Sequence, residues 1–442
     1  MLTRIRDQVS PTEQRHHDRR IMLGTLSVMA FVLAAKVLGA AKEIVVAANY
    51  GTSAPVDAYL LVFRLYDLPF AVWAGTLGVT FVPLFFRLRE SPELFARFRA
   101  ELAGMTIIGG VLLALAAGLG VPWILRVASL GLSPEVRSLA IAMATPLALM
   151  IPLGLLTGLI FARMVAAENR VVSLYEGAPA AVLFLILVFS PAGQIDPLVW
   201  GTVAGYGVAL FLTLAAQGRI EPIRRPVFRL QSPLWRDFTR FSLVVAASGF
   251  VLGVTVVIDQ LMVAHLGTTA IATLGYATRI LSLVTAIGAT AITRVILPVL
   301  SDVEARGGDG GKRIASRWAL AFMVLGVLGI VVGWPLAPIV VEVMFERGAF
   351  TAHDTAAVVD VFRWGLLQLP FAFAGPVFAQ LWAARQRFMA FLYVNTFAVA
   401  LKLITNFLLI DSLGINGVMV GTAVMYAACL AVLWYFAPRS VA

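Results

Sequence analysis

The sequence predicts an all-α polytopic membrane protein of about twelve transmembrane helices, arranged as two six-helix repeats. Of its 442 residues, 60% are hydrophobic and only 13% are charged, and the mean hydropathy is +0.91. A soluble chain carries about a quarter charged residues. Apolar runs of about 20 residues, each long enough to cross a hydrocarbon core of about 30 Å, recur along the whole length. Composition, run length and a pattern repeated in both halves therefore agree on the class.

Twelve apolar runs, separated by short polar or Gly- and Pro-containing segments, define the predicted spans. In chain order they cover 21–48, 58–86, 102–125, 136–161, 172–190, 197–217, 239–264, 271–300, 314–340, 356–384, 389–410 and 415–437. The predicted organisation is a cytoplasmic polar lead (1–20), an N-terminal six-helix lobe (21–217), a basic cytoplasmic linker (218–238), a C-terminal six-helix lobe (239–437) and a short cytoplasmic tail (438–442).

The charges of the loops alternate along the chain. The loops after spans 1, 5, 7 and 11 contain no Lys or Arg, whereas six arginines lie between positions 219 and 240. Positively charged loops stay on the cytoplasmic side of an inner membrane. Both termini are therefore predicted to be cytoplasmic, which agrees with an even number of spans in a bacterial inner-membrane protein.

The same charge pattern excludes several function classes. The net charge of +10 sits in short loops between apolar runs, so no nucleic-acid partner is expected. The single cysteine, Cys429, allows neither a disulfide framework nor a thiolate metal site. No P-loop, nucleophile constellation or metal-ligand cluster is present, so we expect neither an enzyme nor a bound metal or cofactor. We expect a monomer in contact with membrane lipids.

The two halves of the chain resemble each other in sequence. The segment Ala48–Ala54 (ANYGTSA) is similar to Ala264–Ala270 (AHLGTTA). A duplicated six-span unit keeps its orientation, so the two halves are related by an axis along the membrane normal. In this register, with one residue of slippage, the corresponding charged residues are Glu43 with Asp259 and Arg64 with Arg279.

Span 1 contains three full charges, Lys36, Lys42 and Glu43. Each costs several kcal/mol at the bilayer centre unless it faces protein or water. Residues seven apart return to nearly the same helix face, so Lys36 and Glu43 share a face, and Gly39 leaves space close to it. Further charges inside predicted spans are Arg64, Asp259, Arg279, Arg294, Arg363 and Lys402.

These charges predict a positive, water-filled cavity for an anionic group such as a phosphate or pyrophosphate. The intramembrane cations outnumber the acids, and both Lys and Arg bind phosphate. Snorkelling or ion pairing stays an alternative for Arg64, Arg294 and Arg363. Lys402, in the middle of span 11, could act as a fixed internal cation in place of a bound sodium ion.

Several motifs of the chain are similar to those of one known family. They are the opening Lys36–Glu43, followed by Gly51, Asp57-Ala58-Tyr59 and Arg64-Leu65, then Tyr276–Ile280 and Phe345–Thr351. In that order they resemble the first two helices, helix 8 and a loop of the MurJ (MviN) family of lipid II flippases, within the multidrug/oligosaccharidyl-lipid/polysaccharide exporter superfamily. The resemblance covers essentially the whole chain.

The resemblance implies alternating access, in which an undecaprenyl-pyrophosphate headgroup crosses while its tail stays in lipid, driven by membrane potential or Na⁺. By position it implies cavity roles for Lys36, Lys42 and Arg279 and an outer-end position for Asp57. The predicted pyrophosphate-binding residues are Lys36, Lys42, Arg64 and Arg279. Those predicted for gating or charge balance are Gly39, Glu43, Asp57 and Asp259.

The chain departs from the family pattern in its cavity. Lysines replace two family arginines, and Leu65–Ala71 and Ala74-Gly75-Thr76 lack a cavity arginine and a glutamate. The family usually has fourteen helices, against twelve predicted here. The prediction is therefore a flippase, most simply for lipid II. The alternatives are an exopolysaccharide repeat-unit flippase, an ion-coupled multidrug antiporter and a membrane glycosyltransferase.

Overall fold

The computed structural model describes residues 11–87, 91–128, 130–167, 169, 172–219, 225–305, 311–384 and 388–437. Helices and connecting turns, without strands, make up these ranges. The helices are α1 (Pro11–Tyr50), α2 (Ala54–Arg87), α3 (Pro92–Val127), α4 (Pro134–Leu147), α5 (Met150–Ala166), α6 (Val172–Tyr175), α7 (Ala178–Phe189), α8 (Ile195–Gly218), α9 (Trp235–Ala264), α10 (Ala270–Ala305), α11 (Gly311–Phe345), α12 (Ala352–Leu366), α13 (Leu369–Ala384), α14 (Phe388–Leu413) and α15 (Ile415–Tyr435).

Each predicted span corresponds to one helix or to one broken pair of helices. The pairs α4–α5 and α12–α13 are bent by 50° and 43°. Pro146 and Pro370 lie at these breaks, where a proline removes a backbone donor. Within the described residues, seven helices are long and apolar enough to cross a membrane, and up to nine if each bent pair counts as one span. The predicted all-α polytopic class is confirmed.

Several helices begin or end outside the predicted spans, and α3 begins at Pro92, ten residues before the predicted start of span 3. Helix α1 begins at Pro11, inside the predicted polar lead, and proline suits a first helical turn because it needs no donor there. Helix α9 begins at Trp235, inside the predicted linker, because Trp235 packs edge-on against Phe98. By contrast, α11 runs unbroken through Pro335 and Pro338.

The two lobes repeat the same packing. Helix α1 packs against α7 as α9 packs against α14, and α3 packs against α5 as α11 packs against α13. Glycines with positive φ stand in three pairs of equivalent loops, a conformation that favours glycine. These pairs are Gly51 with Gly267, Gly131 with Gly348, and Gly193 with Gly414. The duplication predicted from the sequence is confirmed.

The lobes meet along α2, which packs against both α9 and α10 of the other lobe. Glycines make this close approach possible, because the Leu68 side chain occupies the space that a Cβ at Gly253 would need, and Leu60 does the same at Gly275. Large apolar side chains on α3 and α11 point outward, among them Leu119 and Val331. Such surfaces suit a hydrocarbon solvent.

Glu101 on α3 fixes the end of the interlobe linker. Its side chain is fully buried, and its Oε2 accepts from the backbone N–H groups of Gln231 and Ser232 at 3.1 and 3.0 Å and from Trp235 Nε1 at 2.7 Å. The Arg97 guanidinium lies 3.3 Å from Oε1. Three donors on one carboxylate therefore join the linker to the N-terminal lobe.

Replacing Glu101 by glutamine is expected to lower the melting temperature of the detergent-solubilised protein. The amide weakens three charge-assisted hydrogen bonds at a buried position, a loss of about 2 kcal/mol or more. The control is Glu93→Gln, an exposed glutamate on the same helix. Equal melting temperatures for the two variants would contradict the role given to Glu101.

Candidate substrate cavity

A central space lies between the two lobes and has two compartments. The N-lobe compartment, about 450 Å³, is lined mainly by α1, α2, α7 and α8. The C-lobe compartment, about 520 Å³, is lined mainly by α2, α9, α10, α14 and α15. The compartments share part of their walls, namely Glu43, Tyr59, Arg64, Arg279 and Ser282. Three of these five shared residues are charged, so the charged group lies between the lobes.

Glu43 is the centre of that charged group. Its Oε1 lies 2.6 Å from Lys42 Nζ on the same helix and 2.7 Å from Arg279 Nε on α10. Lys42 and Glu43 are each 8% exposed, so the ion pairs are largely removed from water. One carboxylate thus holds two cations, one from each lobe, and the three residues carry one net positive charge.

Arg64 lies on the shared wall with a longer acid contact. Its Nη1 is 4.0 Å from Asp67 Oδ2, one helical turn further along α2. The other oxygen of Asp67 accepts from Tyr206 Oη at 3.1 Å. Next to this group, the hydroxyls of Tyr59 and Thr202 are 2.9 Å apart. Asp67 was not among the predicted site residues, although an acid three residues after an arginine on one helix predicts a contact between them.

Lys36 is exposed at the N-lobe compartment, where Glu176 also lies on the wall. Gly39 lines the same compartment, and no atom lies within 4 Å of the position a Cβ would take, so this glycine borders open space. Lys36 and Glu43, which were expected to share a face, both line this compartment, and the ion-pair partners of Glu43 are Lys42 and Arg279. Glu176 was missed by the sequence analysis, although it lies within a predicted span.

Asp259 and Lys402 form the charged group of the C-lobe compartment. Lys402 Nζ donates to Asp259 Oδ2 at 2.5 Å, and Asn406 Nδ2 donates to Oδ1 at 2.9 Å. Lys402 is 3% exposed. The ammonium group of Lys402 therefore lies beside the Asp259 carboxylate, where a bound cation would otherwise lie.

The surplus of positive charge is smaller than the sequence analysis expected. Among the described residues that line the two compartments, five are cations and four are acids. The cations are Lys36, Lys42, Arg64, Arg279 and Lys402, and the acids are Glu43, Asp67, Glu176 and Asp259. The lining therefore has a net charge of +1, because Asp67 and Glu176 were not counted from the sequence.

Asp57 lies outside both compartments. It is 1% exposed, and its two carboxylate oxygens accept from the backbone N–H groups of Thr269 at 2.7 Å and Ala272 at 2.6 Å. It therefore caps the N-terminus of α10 from the first turn of α2, which joins the lobes near the predicted periplasmic end. Arg363 also lies away from the cavity and stacks on Trp334, whereas the side chain of Arg294 is outside the described residues.

The predicted periplasmic end, which carries the α1–α2, α3–α4, α9–α10 and α11–α12 loops, is closed by two equivalent contacts. Gly348 packs against the Ala48 backbone, and the Ala349 N–H donates to the Ala48 carbonyl at 2.7 Å. In the other half of the repeat, Gly131 packs against His265, the residue after α9. Thr52 also donates to Asp354 across the lobes.

Comparison with known proteins agrees with this architecture. A family model described as "Lipid II flippase MurJ" matches residues 46–442. A probable lipid II flippase MurJ of Buchnera aphidicola is 24% identical over 370 residues, which is 78% of this chain and 69% of that protein. A solved lipid II flippase MurJ in an inward closed conformation has a TM-score of 0.80 at 17% identity, over 94% of this chain and 87% of that one.

A solved multidrug resistance MATE transporter of the MOP superfamily, in an inward-facing conformation, gives a TM-score of 0.74 at 13% identity, over 93% of this chain and 97% of that one. Two repeats around a charged central cavity thus define a multi-pass membrane protein with the fold of these two structures. The family model and the curated relatives define a transporter rather than an enzyme. The chain belongs to the lipid II flippase MurJ family.

Proposed function

We propose that this protein is an alternating-access flippase that moves an undecaprenyl-pyrophosphate-linked glycan precursor, with lipid II as the cargo, across the bacterial inner membrane. The observation that carries this proposal is the Lys42–Glu43–Arg279 group, of which Glu43 and Arg279 lie on the wall shared by both compartments and Lys42 lines the N-lobe compartment. One chain supplies both walls of the cavity, so a monomer is sufficient.

The cationic group can recognise a pyrophosphate by exchange of partners. Lys42 offers a compact charge, and Arg279 has a planar guanidinium that can bind two phosphate oxygens at once. An entering anion competes with Glu43 for both cations. Because Glu43 and Arg279 belong to different lobes, loss of their contact weakens a tie between the lobes and favours their rocking around the bound headgroup.

The proposed orientation has both termini and the basic linker in the cytoplasm. The arginine-rich loops support it through the positive-inside rule. In this orientation the closed end faces the periplasm, because the contacts of Gly131 and Gly348 lie at the end opposite the linker.

The decisive test is complementation of a strain depleted of its own lipid II flippase. Growth on expression of this protein is expected if lipid II is the cargo. Absence of growth, with normal membrane insertion, would contradict lipid II. Growth restored instead in a strain lacking its exopolysaccharide repeat-unit flippase would assign that cargo.

Transport is expected to continue when sodium is replaced by potassium or choline. Lys402 already places a positive charge 2.5 Å from Asp259, so a sodium ion at this carboxylate would meet a like charge at close range. The proposed energy source is therefore the membrane potential. Flipping measured in proteoliposomes with an imposed potential checks this, and a rate that falls at least about tenfold without sodium would contradict it.

A further inference from the structure

The duplication of the fold relates one interlobe ion pair to a second pair that is not formed. Glu43 corresponds to Asp259, and Arg279 corresponds to Arg64. The contact between Glu43 and Arg279 joins α1 to α10. Its equivalent under the pseudo-two-fold axis would join Asp259 on α9 to Arg64 on α2. Because α2 packs along α9, these two residues lie on neighbouring helices, and both line the C-lobe compartment.

Lys402 breaks this symmetry. It occupies Asp259 Oδ2, while Asn406 occupies Oδ1, so both oxygens of the carboxylate have partners within the C-terminal lobe. Helix α14, which carries Lys402, corresponds to α7 in the N-terminal lobe. Residues 178–189 of α7 include no charged side chain. The N-terminal lobe therefore has no counterpart of Lys402 on that helix. Glu43 does have a cation of its own lobe, Lys42, but this contact uses only Oε1, and the carboxylate still accepts Arg279.

Arg64 is left without a close carboxylate. Its nearest ion-pair contact among the described residues is Asp67 at 4.0 Å, against 2.7 Å for Arg279 and Glu43. The Arg64 side chain is 26% exposed and faces both compartments. A guanidinium with such a long acid contact can offer its donors to an anion in the cavity.

We propose that Lys402 is a positioning residue for the anionic headgroup: by neutralising Asp259 it keeps Arg64 free to bind pyrophosphate. This inference rests on the proposed function. A carboxylate in a low-dielectric site attracts a nearby guanidinium strongly and can hold it through two parallel hydrogen bonds. Without the charge of Lys402, Asp259 is a buried acid lacking its cation. Arg64 is the repeat equivalent of Arg279, which pairs with Glu43, so we expect Arg64 to pair with Asp259.

The test measures binding of inorganic pyrophosphate to the full-length purified protein by isothermal titration calorimetry at low ionic strength. Lys402→Gln keeps a hydrogen-bond donor for Asp259 but removes the charge, and it is expected to weaken binding roughly tenfold, the loss of one charge-assisted contact. The double variant Lys402→Gln/Asp259→Asn removes the competing acid as well, and it is expected to restore binding. In an Arg64→Gln background, Lys402→Gln should cause no further loss.

Other outcomes separate the alternatives. If the wild-type protein does not bind pyrophosphate, the proposed function itself fails. If the wild type binds but Lys402→Gln and Lys402→Gln/Asp259→Asn bind equally weakly, the inference is wrong. Lys402 then acts by its own contact with the anion or by its effect on the fold. Gel filtration and thermal unfolding show whether Lys402→Gln folds. If it does not, pyrophosphate binding by Asp259→Asn is the test, because this variant lacks the acid that would compete for Arg64. Binding tenfold weaker than that of the wild type would overturn the inference.

Discussion

Lys42→Ala is expected to abolish translocation while leaving the protein folded. Lys42 lies 2.6 Å from Glu43, on the wall of the N-lobe compartment. Loss of its ammonium removes one of the cations that would meet the headgroup. This costs about 1.5 to 3 kcal/mol of binding, or roughly ten- to a hundredfold in affinity. The fold should survive, because Arg279 still neutralises Glu43 at 2.7 Å.

The measurement is flipping of lipid II in proteoliposomes, with growth of the depleted strain as a second readout. Lys312→Ala is the matched control, because Lys312 lies at the start of α11, contacts Trp434 and Tyr435, and does not line the central cavity. Lys42→Arg should retain transport, since it keeps the charge and adds bidentate donors. Normal flipping by Lys42→Ala would exclude Lys42 from the binding site.

Gly348→Ala is expected to open the predicted periplasmic end. A methyl group at Gly348 would overlap the Ala48 carbonyl oxygen, and its φ of 61° is one that L-residues rarely adopt. The strain at this φ, about 1 to 2 kcal/mol, is common to the open and closed states, so the clash decides the shift. A clash of about 2 kcal/mol shifts a two-state equilibrium roughly thirtyfold. Because the contact exists only when the lobes meet at this end, the clash destabilises the closed state more than an open one.

The opening can be measured with Val56→Cys in a Cys429→Ala background. Val56 is fully buried in the first turn of α2, near the closed end, so its thiol should react with a membrane-impermeant reagent only after opening. Gly193→Ala is the control, since Gly193 has a φ of 79° but no atom within 4 Å of the added methyl group. Gly131→Ala, at the equivalent loop, should resemble Gly348→Ala. Equal labelling of the Gly193 and Gly348 variants would contradict the role of this contact.

Much of the fold follows from sequence because its signals are local. A run of apolar residues must be helical in a bilayer, since every backbone donor and acceptor needs a partner within the segment. The apolar runs predict both ends of α8 and of α15 to within two residues. The same runs do not predict the start of α9. There a polar first turn is helical because Trp235 packs on Phe98 of another helix.

The cavity was predictable in part for the same reason. Lys36, Lys42, Arg64, Arg279, Asp259 and Lys402 were found because charge inside an apolar span is costly, and all of them line the two compartments. Asp67 and Glu176 meet the same criterion and were missed. Asp57, expected at the outer end of the cavity, lies outside both compartments and caps α10 near the predicted periplasmic end.

The sequence by itself determined that this is an all-helical membrane protein, that it is duplicated, and which residues supply most of the charges inside it. These properties depend on composition and on spacing along one chain segment. Only the tertiary structure decided the partners: Glu43 with Arg279 rather than Lys36, and Asp259 with Lys402 rather than Arg64. Each of these pairs joins residues more than 140 positions apart on different helices. Their distance is set by how the helices pack across and within the lobes, which no local pattern encodes.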